Sequence, residues 1–590
     1  MKLYRILAMA VMASLIMTSC NTSGGGSSKE EEIESASDGK YVGQAVGNFS
    51  ADEWYPGGQT GTTTNVTEGC YEDETPAVTS MGMTTTFNLG EKFFERNFTE
   101  STKPFYGLGP ASVRKSCLDC HPAYGHGQWQ DSYVANGSAA WGNGYLLVIY
   151  HPTEEGSNDG PYISEVTGMP QTMAVSPFLP PIDEDQISIT WSEIGAMESG
   201  LSMTFPDGET YALQYPTLYI PESAFNTDPV PTNLGFRLES TIGVIGTGII
   251  DAIPQDSIKA QYAKEAAALA AAGLDVSEYL NSNFWDAASG DMASTAYYTT
   301  LADGYTADGT HYPAGTLTPV KRYTYALTRA SLQDGAGANA IWNITNVSRP
   351  DRPYLYTTNA WAKAMSENEE VIASIMAAGE TSPYYVDVNG DGTVTSDEVA
   401  EAVYELLRPG TNQFDNDYHN FEPEMTTDQY YAFMLWHRGL AIPRARNLHK
   451  ASVQRGKELF MEMGCASCHR PEWNTTDDNY WVPACLNGMA LPRYQNQKIY
   501  PYSDFVQHKL YMKNDIHGSW CRTTPLWGRG LSTQETGRGD RLHDCRARNT
   551  VEAIMWHGYS KKSHAYSSAE KFYNLSKEDR DAVVEFINSI

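Results

Sequence analysis

The most regular alternation of apolar and polar positions lies toward the C-terminal end. In S-V-Q-R-G-K-E-L-F-M-E-M-G-C-A-S-C-H, residues 452–469, the side chains of Val453, Leu459, Phe460 and Met463 share one helical face. This predicts an amphipathic helix that delivers the chain into C-A-S-C-H. The last residues, S-K-E-D-R-D-A-V-V-E-F-I-N-S-I, predict another helix: Ser576 and Asp579 have capping-box spacing, and Val583, Val584, Ile587 and Ile590 recur at helical spacing. Residues 257–271 predict a helix stopped by Gly273, and residues 367–378 and 396–407 predict two more. Elsewhere the period shortens to two. Between Ile187 and Phe225, the stretches Q-I-S-I-T-W, G-L-S-M-T-F and Y-P-T-L-Y-I alternate between turn residues and predict strands. Residues 42–165 are rich in Gly, Tyr and Trp with few periodic runs, which predicts loops. The expected fold class is α+β.

The extreme N-terminus changes the setting. Lys2 and Arg5 precede an apolar run from Ile6 to Met17 and then M-T-S-C, too short to span a bilayer and shaped like a signal peptide ending at Cys20. The end of this leader resembles a bacterial lipoprotein box, which implies that Cys20 becomes the lipid-modified first residue. Residues 21–41 follow as a Gly/Ser and acidic tether that cannot build a core. Its acidic run resembles the surface-export signal of a class of bacterial lipoproteins, so the chain is expected to be exported, facing either the periplasm or the cell surface. No other run of about 18 apolar residues occurs, so the lipid is the only expected membrane attachment. A formal charge of -31 excludes nucleic acid as a partner and suits a basic redox partner.

The chemistry begins with C-L-D-C-H, where Cys117, Cys120 and His121 form C-x-x-C-H. A C-x-x-C pair can be a dithiol redox site or half a zinc site, but His directly after it is the pattern of a c-type haem attachment. Both thiols can then form thioethers with the haem vinyl groups while the imidazole binds iron. Zinc needs a second ligand pair nearby, and none lies close in sequence. Cys465, Cys468 and His469 repeat the pattern, and a shuffled chain of this composition would hold roughly 0.003 copies. Two covalent haems are therefore expected.

A second metal signal separates the two motifs. D-V-N-G-D-G-T-V-T-S-D-E, Asp387 to Glu398, fits the EF-hand loop pattern. Asp387, Asn389 and Asp391 offer side-chain oxygens to calcium, Gly392 permits the sharp turn, Thr393 offers its carbonyl and Glu398 closes the cage. Apart from Cys20 and the haem cysteines, four remain: Cys70, Cys485, Cys521 and Cys545, an even number suited to an oxidising compartment. Three pairings are open to them.

Several stretches carry a family resemblance: P-Y-S-D-F-V-Q-H, C-R-T-T-P-L-W-G-R-G and L-H-D-C-R-A-R-N-T-V-E-A-I-M-W-H-G in the C-terminal part, with G-L-G-P-A-S-V-R-K-S-C-L-D-C-H and T-I-G-V-I-G-T-G-I-I-D-A-I-P in the N-terminal part. These resemble the bacterial di-haem oxidoreductase family, which is similar to di-haem cytochrome c peroxidases and to the enzyme that matures methylamine dehydrogenase. The family is also labelled a thiol oxidoreductase, a label at odds with cysteines consumed in thioethers. The resemblance implies two mainly helical, cytochrome c-like haem regions, with a β-rich elaboration on the first and an EF-hand-like insertion. Together with the readings above, the expected boundaries are 1–20 for the leader, 21–41 for the tether, 42–364 for the N-terminal haem region, 365–408 for the insertion and 409–590 for the C-terminal domain. The resemblance also implies that His557 is the second axial ligand of the C-terminal haem, with Met555 as the fallback. The N-terminal haem has His121 as proximal ligand and no distal ligand assigned; His126, five residues on, reads as a haem-propionate or solvent contact. A disulfide between Cys521 and Cys545 is implied by the motifs beside them, leaving Cys70 to pair with Cys485. The function implied is a peroxidase-like oxidoreductase whose C-terminal haem relays electrons from a partner such as a small cytochrome to a reactive N-terminal haem. A non-catalytic di-haem electron carrier and a calcium-organised surface binding protein are the rival readings.

Overall fold

Two helix crossings, distant in sequence, organise the molecule. In this computed structural model, residues 38–98, 107–134, 144–154, 160–336 and 349–590 are described. The main helices are α1 (Thr84–Glu95), α2 (Gln255–Ala271), α3 (Asn359–Ser366), α4 (Glu369–Ala378), α5 (Ser396–Leu407), α6 (Thr427–Gly439), α7 (Ala451–Met463), α8 (Thr550–His557), α9 (Tyr566–Tyr573) and α10 (Lys577–Ser589). Helix α7 buries the face that its spacing predicts: Val453, Leu459, Phe460 and Met463 are all 3% exposed or less. Each contributes roughly 1.5–3 kcal/mol of apolar burial. It packs across α10, where Val583, Phe586 and Ile587 are buried and where Ser576 accepts a hydrogen bond from the Asp579 N–H at 3.2 Å.

The crossing depends on a glycine. A Cβ on Gly456 would lie 2.0 Å from the Ala582 carbonyl oxygen, so only a hydrogen there lets the two backbones touch. The N-terminal half repeats the arrangement with α1 and α6: a Cβ on Gly90 would lie 2.0 Å from the Ala432 carbonyl oxygen. A turn glycine also presses on each later helix, Gly530 against Asn588 and Gly248 against Arg438. Ala432, Trp436 and Arg438 thus stand along α6 as Ala582, Phe586 and Asn588 stand along α10. The expected loop region of residues 42–165 therefore contains a helix, α1, whose Phe87, Phe93 and Phe94 are buried. The expected division at residues 408 and 409 also does not separate the packing, because α6 lies beyond it yet completes the N-terminal crossing.

The β-rich elaboration consists of separate ribbons. Strand β1 (Tyr145–Tyr150) pairs antiparallel with β4 (Gly235–Ser240), and β2 (Ser188–Glu193) with β3 (Gln214–Tyr219). The middle expected strand, G-L-S-M-T-F, forms only an isolated bridge between Thr204 and Thr210. Pro206, Asp207 and Gly208 reverse the chain there, and Phe205 turns inward against Phe572. Helices α3, α4 and α5 share a small core of Trp361, Met365, Val371, Ile375, Val399 and Leu406. Residues 41–590 form one compact unit, and no helix among the described residues is long and apolar enough to cross a membrane. The leader, most of the tether and Cys20 lie outside the described residues.

Candidate functional site

Gly464, with φ +90°, ends α7 and turns the chain into a short helical turn at Cys465–Ser467. That turn places Cys465, Cys468 and His469 on the wall of one cavity. The His469 Nδ1 lies 3.0 Å from the Tyr502 carbonyl oxygen, which makes it the N–H donor and leaves Nε2 as the unprotonated, metal-binding nitrogen. His557, the last residue of α8, is held in the same way, with Nδ1 2.7 Å from the Ala553 carbonyl oxygen one turn back. The two imidazole rings lie in the same cavity with centres 6.5 Å apart and planes tilted by 50°. An iron between two imidazoles adds about 2 Å of bond and a little over 1 Å of ring on each side, so roughly 6 to 6.5 Å is the spacing it requires. Burial, followed by the proximity of His557, pushes the His469 pKa down to about 4, and burial also lowers that of His557. Both stay neutral, the state in which imidazole binds metal. The Met555 side chain, two residues before His557, is packed into the apolar core beside Phe460 and Trp556.

The N-terminal motif has the same local construction. The Ser116 hydroxyl caps the turn at the Leu118 N–H, and the His121 Nδ1 lies 2.8 Å from the Ile242 carbonyl oxygen. Phe94 sits 6.0 Å from the His121 ring, as Phe460 sits 6.2 Å from His469. Burial brings the His121 pKa to about 4. Among the described residues, no second imidazole makes the ring contact with His121 that His557 makes with His469. The residue that the sequence reading missed is His437, on α6 at the place of Ile587 on α10. Ile587 lines the C-terminal cavity. His437 is 6% exposed with its Nδ1 unpartnered, and burial together with His121 pushes its pKa to about 3. The signal available in the sequence was the W-H-R run at the end of an apolar helix.

The cavity spans about 1870 Å³ including its open mouth. It extends from the C-terminal motif to Gly125, His126, Ile242 and Tyr325 of the N-terminal half. His126 is not free to bind iron. Its Nδ1 lies 2.8 Å from the Gly127 carbonyl oxygen, and its Nε2 2.8 Å from the Tyr325 hydroxyl and 3.3 Å from that of Ser240. Beside the C-terminal motif, Cys468, Asp504 and His508 bring their ligand atoms within 4.8 Å of one another, with the His508 Nε2 2.8 Å from Asp504.

The cysteine pairings differ from expectation. Cys70, Cys485, Cys521 and Cys545 are all free thiols, as are the four motif cysteines. Each of three has its own partner: Cys545 donates to the Gly127 carbonyl oxygen at 3.1 Å, Cys521 lies 3.8 Å from the His543 Nδ1, and Cys70 donates to the Glu535 carboxylate at 3.3 Å. Neither the Cys521–Cys545 nor the Cys70–Cys485 bond is present.

The Asp387–Glu398 loop folds tightly upon itself. Asp387 accepts from the Gly390 and Gly392 N–H groups at 2.8 and 2.7 Å, Asn389 from Asp391 at 2.9 Å, and Asp391 from Thr393 at 2.8 Å. Glu398 caps α5 by accepting from the Thr395 N–H at 2.9 Å, and Gly392 has φ +88°. The carboxylates of Asp387, Asp391 and Glu398 do not gather within 4.8 Å of one another. The loop therefore has the turn that the pattern requires, with its carboxylates still drawn to backbone N–H groups.

No curated protein and no solved structure matches the chain. Residues 399–590 match a family model described as "Di-haem oxidoreductase, putative peroxidase". That span holds the second C-x-x-C-H motif, both His469 and His557 and the α7–α10 crossing, and the family implies haem as cofactor. Over residues 399–590 the chain is therefore similar to the di-haem oxidoreductase family.

Proposed function

We propose that the chain is an exported di-haem c-type cytochrome, anchored by lipid at Cys20, that works as a peroxidase-like oxidoreductase. The observation that carries this reading is the pair of neutral imidazoles of His469 and His557, 6.5 Å apart beside two free thiols. Cys465 and Cys468 would hold one haem covalently with His469 and His557 on its iron; Cys117, Cys120 and His121 would hold the other. Bound haem supplies one-electron chemistry tuned by its axial ligands. The Tyr502 and Ala553 carbonyls fix the tautomer and orientation of the two C-terminal imidazoles, which suits that half to relaying electrons from a donor such as a small cytochrome. The N-terminal half, where the His437 imidazole bears on His121 without the paired-ring contact of His469 and His557 among the described residues, is the better candidate for substrate. His437 stands near it as a neutral imidazole able to accept a proton.

The test uses protein matured in a host that attaches haem c. The pyridine haemochrome should report two haems per chain, and hydrogen peroxide should reoxidise the reduced protein within the time of mixing. Fewer than two haems, or thiols of either motif still open to alkylation, defeats the di-haem assignment. Two haems with no response to peroxide leaves an electron carrier.

We also propose that the Asp387–Glu398 loop binds calcium, supported by the pattern match and by the turn at Gly392. Asp387, Asn389, Asp391, the Thr393 carbonyl and Glu398 would supply the oxygens, and α4 and α5 place the loop where it braces the helical insertion. Glu398→Gln keeps a capping oxygen but removes the charge and bidentate closure, so calcium affinity should fall by roughly tenfold or more. Calorimetry with calcium on the full chain reads this. No heat of binding in the wild-type protein removes the calcium from the reading.

A further inference from the structure

Two arginines in the cavity wall have no acidic partner among the described residues. Arg529 follows Gly528 at the start of a short turn, and its Nη2 donates to the Asp540 carbonyl oxygen at 2.8 Å. Arg541 donates from Nη2 to the Arg529 carbonyl oxygen at 3.0 Å, and from Nη1 to the Gly539 and Asp540 carbonyl oxygens at 2.5 and 3.3 Å. The nearest acidic side chain, Asp540, turns away to the Arg538 Nε at 2.6 Å and the Trp129 N–H at 3.0 Å. Three deeply buried arginines are treated differently. Arg438 meets Asp251 and Asp478, Arg546 meets Asp544, and Arg114 meets Glu184.

Side by side and half-buried in the cavity wall, the two guanidinium groups repel each other. Burial first and the Arg529 charge second push the Arg541 pKa down to about 9. In a chain of net charge -31, placing two adjacent cations in one cavity without an acidic partner is a cost unless an anion joins them. Guanidinium forks match planar carboxylates in particular, with paired N–H···O bonds. A haem carries its vinyl groups and its two carboxylates toward opposite edges. Were Cys465 and Cys468 to hold the vinyl edge, the carboxylates would need a cationic seat elsewhere on the cavity wall, and both arginines line that wall.

We propose that Arg529 and Arg541 are a carboxylate clamp that seats haem propionates where the C-terminal cavity meets the N-terminal half. The clamp rests on the di-haem reading above. It positions the cofactor and touches no reacting atom. A cation beside the propionates disfavours ferric haem, which carries one positive charge more than ferrous haem. Removing it should therefore lower the reduction potential of the haem concerned.

The experiment is a spectroelectrochemical titration of the matured chain carrying R541Q, R529Q or R541K, with the exposed substitution R455Q as control. R541Q and R529Q should each shift the oxidised-to-reduced ratio about tenfold toward oxidised at a fixed solution potential, equal to about 59 mV for one electron. R541K, which keeps the charge, should move it less, and R455Q not at all. Unchanged potentials in both glutamine variants, with two haems per chain, overturn the clamp. A potential that responds saturably to inorganic phosphate in wild type but not in R541Q assigns the arginines to a free anion and overturns the haem assignment. Fewer than two haems in the wild-type haemochrome defeats the di-haem reading itself, which is a separate and visible failure.

Discussion

In protein matured with haem, replacing His557 with glycine should convert the C-terminal haem from a closed, low-spin centre into an open one, adding one equivalent of bound carbon monoxide per chain. The His557 Nδ1 is tied to the Ala553 carbonyl at 2.7 Å and its ring stands 6.5 Å from that of His469, so removing the ring removes the donor on that face. The thioethers and His469 would keep the cofactor in place. Gly558 already follows at the end of α8, so a second glycine there adds flexibility at a helix terminus and little strain. Optical and EPR spectra of the variant should show a high-spin component at that haem, and added imidazole should restore the low-spin spectrum by refilling the same position. Met555→Leu should leave the spectrum unchanged, because the Met555 side chain points into the core. An unaltered low-spin spectrum in the glycine variant would mean that another group holds the iron, and the relay role would pass from this haem.

Much of this site could be read from the chain because it is local. A C-x-x-C-H motif places two thiols and an imidazole within one turn whatever surrounds them, and the face of Val453, Leu459, Phe460 and Met463 needs only its own spacing to declare a helix. The position of His557 opposite His469 is a tertiary fact, reached by resemblance and not by spacing. What escaped was nonlocal. Helix α1 went unread because Phe87, Phe93 and Phe94 look like scattered aromatics until α6, several hundred residues later, supplies the surface on which Gly90 sits. His437 inherits its importance from that same pairing. The thiols of Cys521 and Cys545 looked paired because their motifs approach one site, yet each lies against a different histidine, His543 and His126. Nothing in a sequence of arginines and carbonyls announces that Arg529 and Arg541 lack a carboxylate partner among the described residues.

Removing the Asp478 carboxylate should be the most damaging single change to the fold, about 3–5 kcal/mol, because it breaks a buried ion cluster on one side only. Arg438, at the end of α6, is fully buried and bonded on every side: Nη1 to Asp251 at 2.8 Å, Nη2 to Asp478 at 2.5 Å and Nε to the Pro492 carbonyl oxygen at 2.7 Å. Its own carbonyl accepts from the Tyr494 hydroxyl at 2.6 Å, and Gly248 packs directly against it. The cluster joins three segments remote in sequence: the end of α6, the turn that follows Gly246, and the loop carrying Asp478. Asp478→Ala leaves one carboxylate for a guanidinium that was gripped by two, and removes the acceptor for the Tyr494 N–H at 2.7 Å. Asp478→Asn keeps that acceptor but not the charge, so it should cost less. Because α6 carries Trp436 and His437 toward the N-terminal motif, the loss should appear first there: His121-side absorbance should broaden and the thermal midpoint fall, while the His469–His557 spectrum persists until global unfolding. Equal stability of Asp478→Ala and wild type by thermal and denaturant unfolding would show that α6 is held by its apolar face alone.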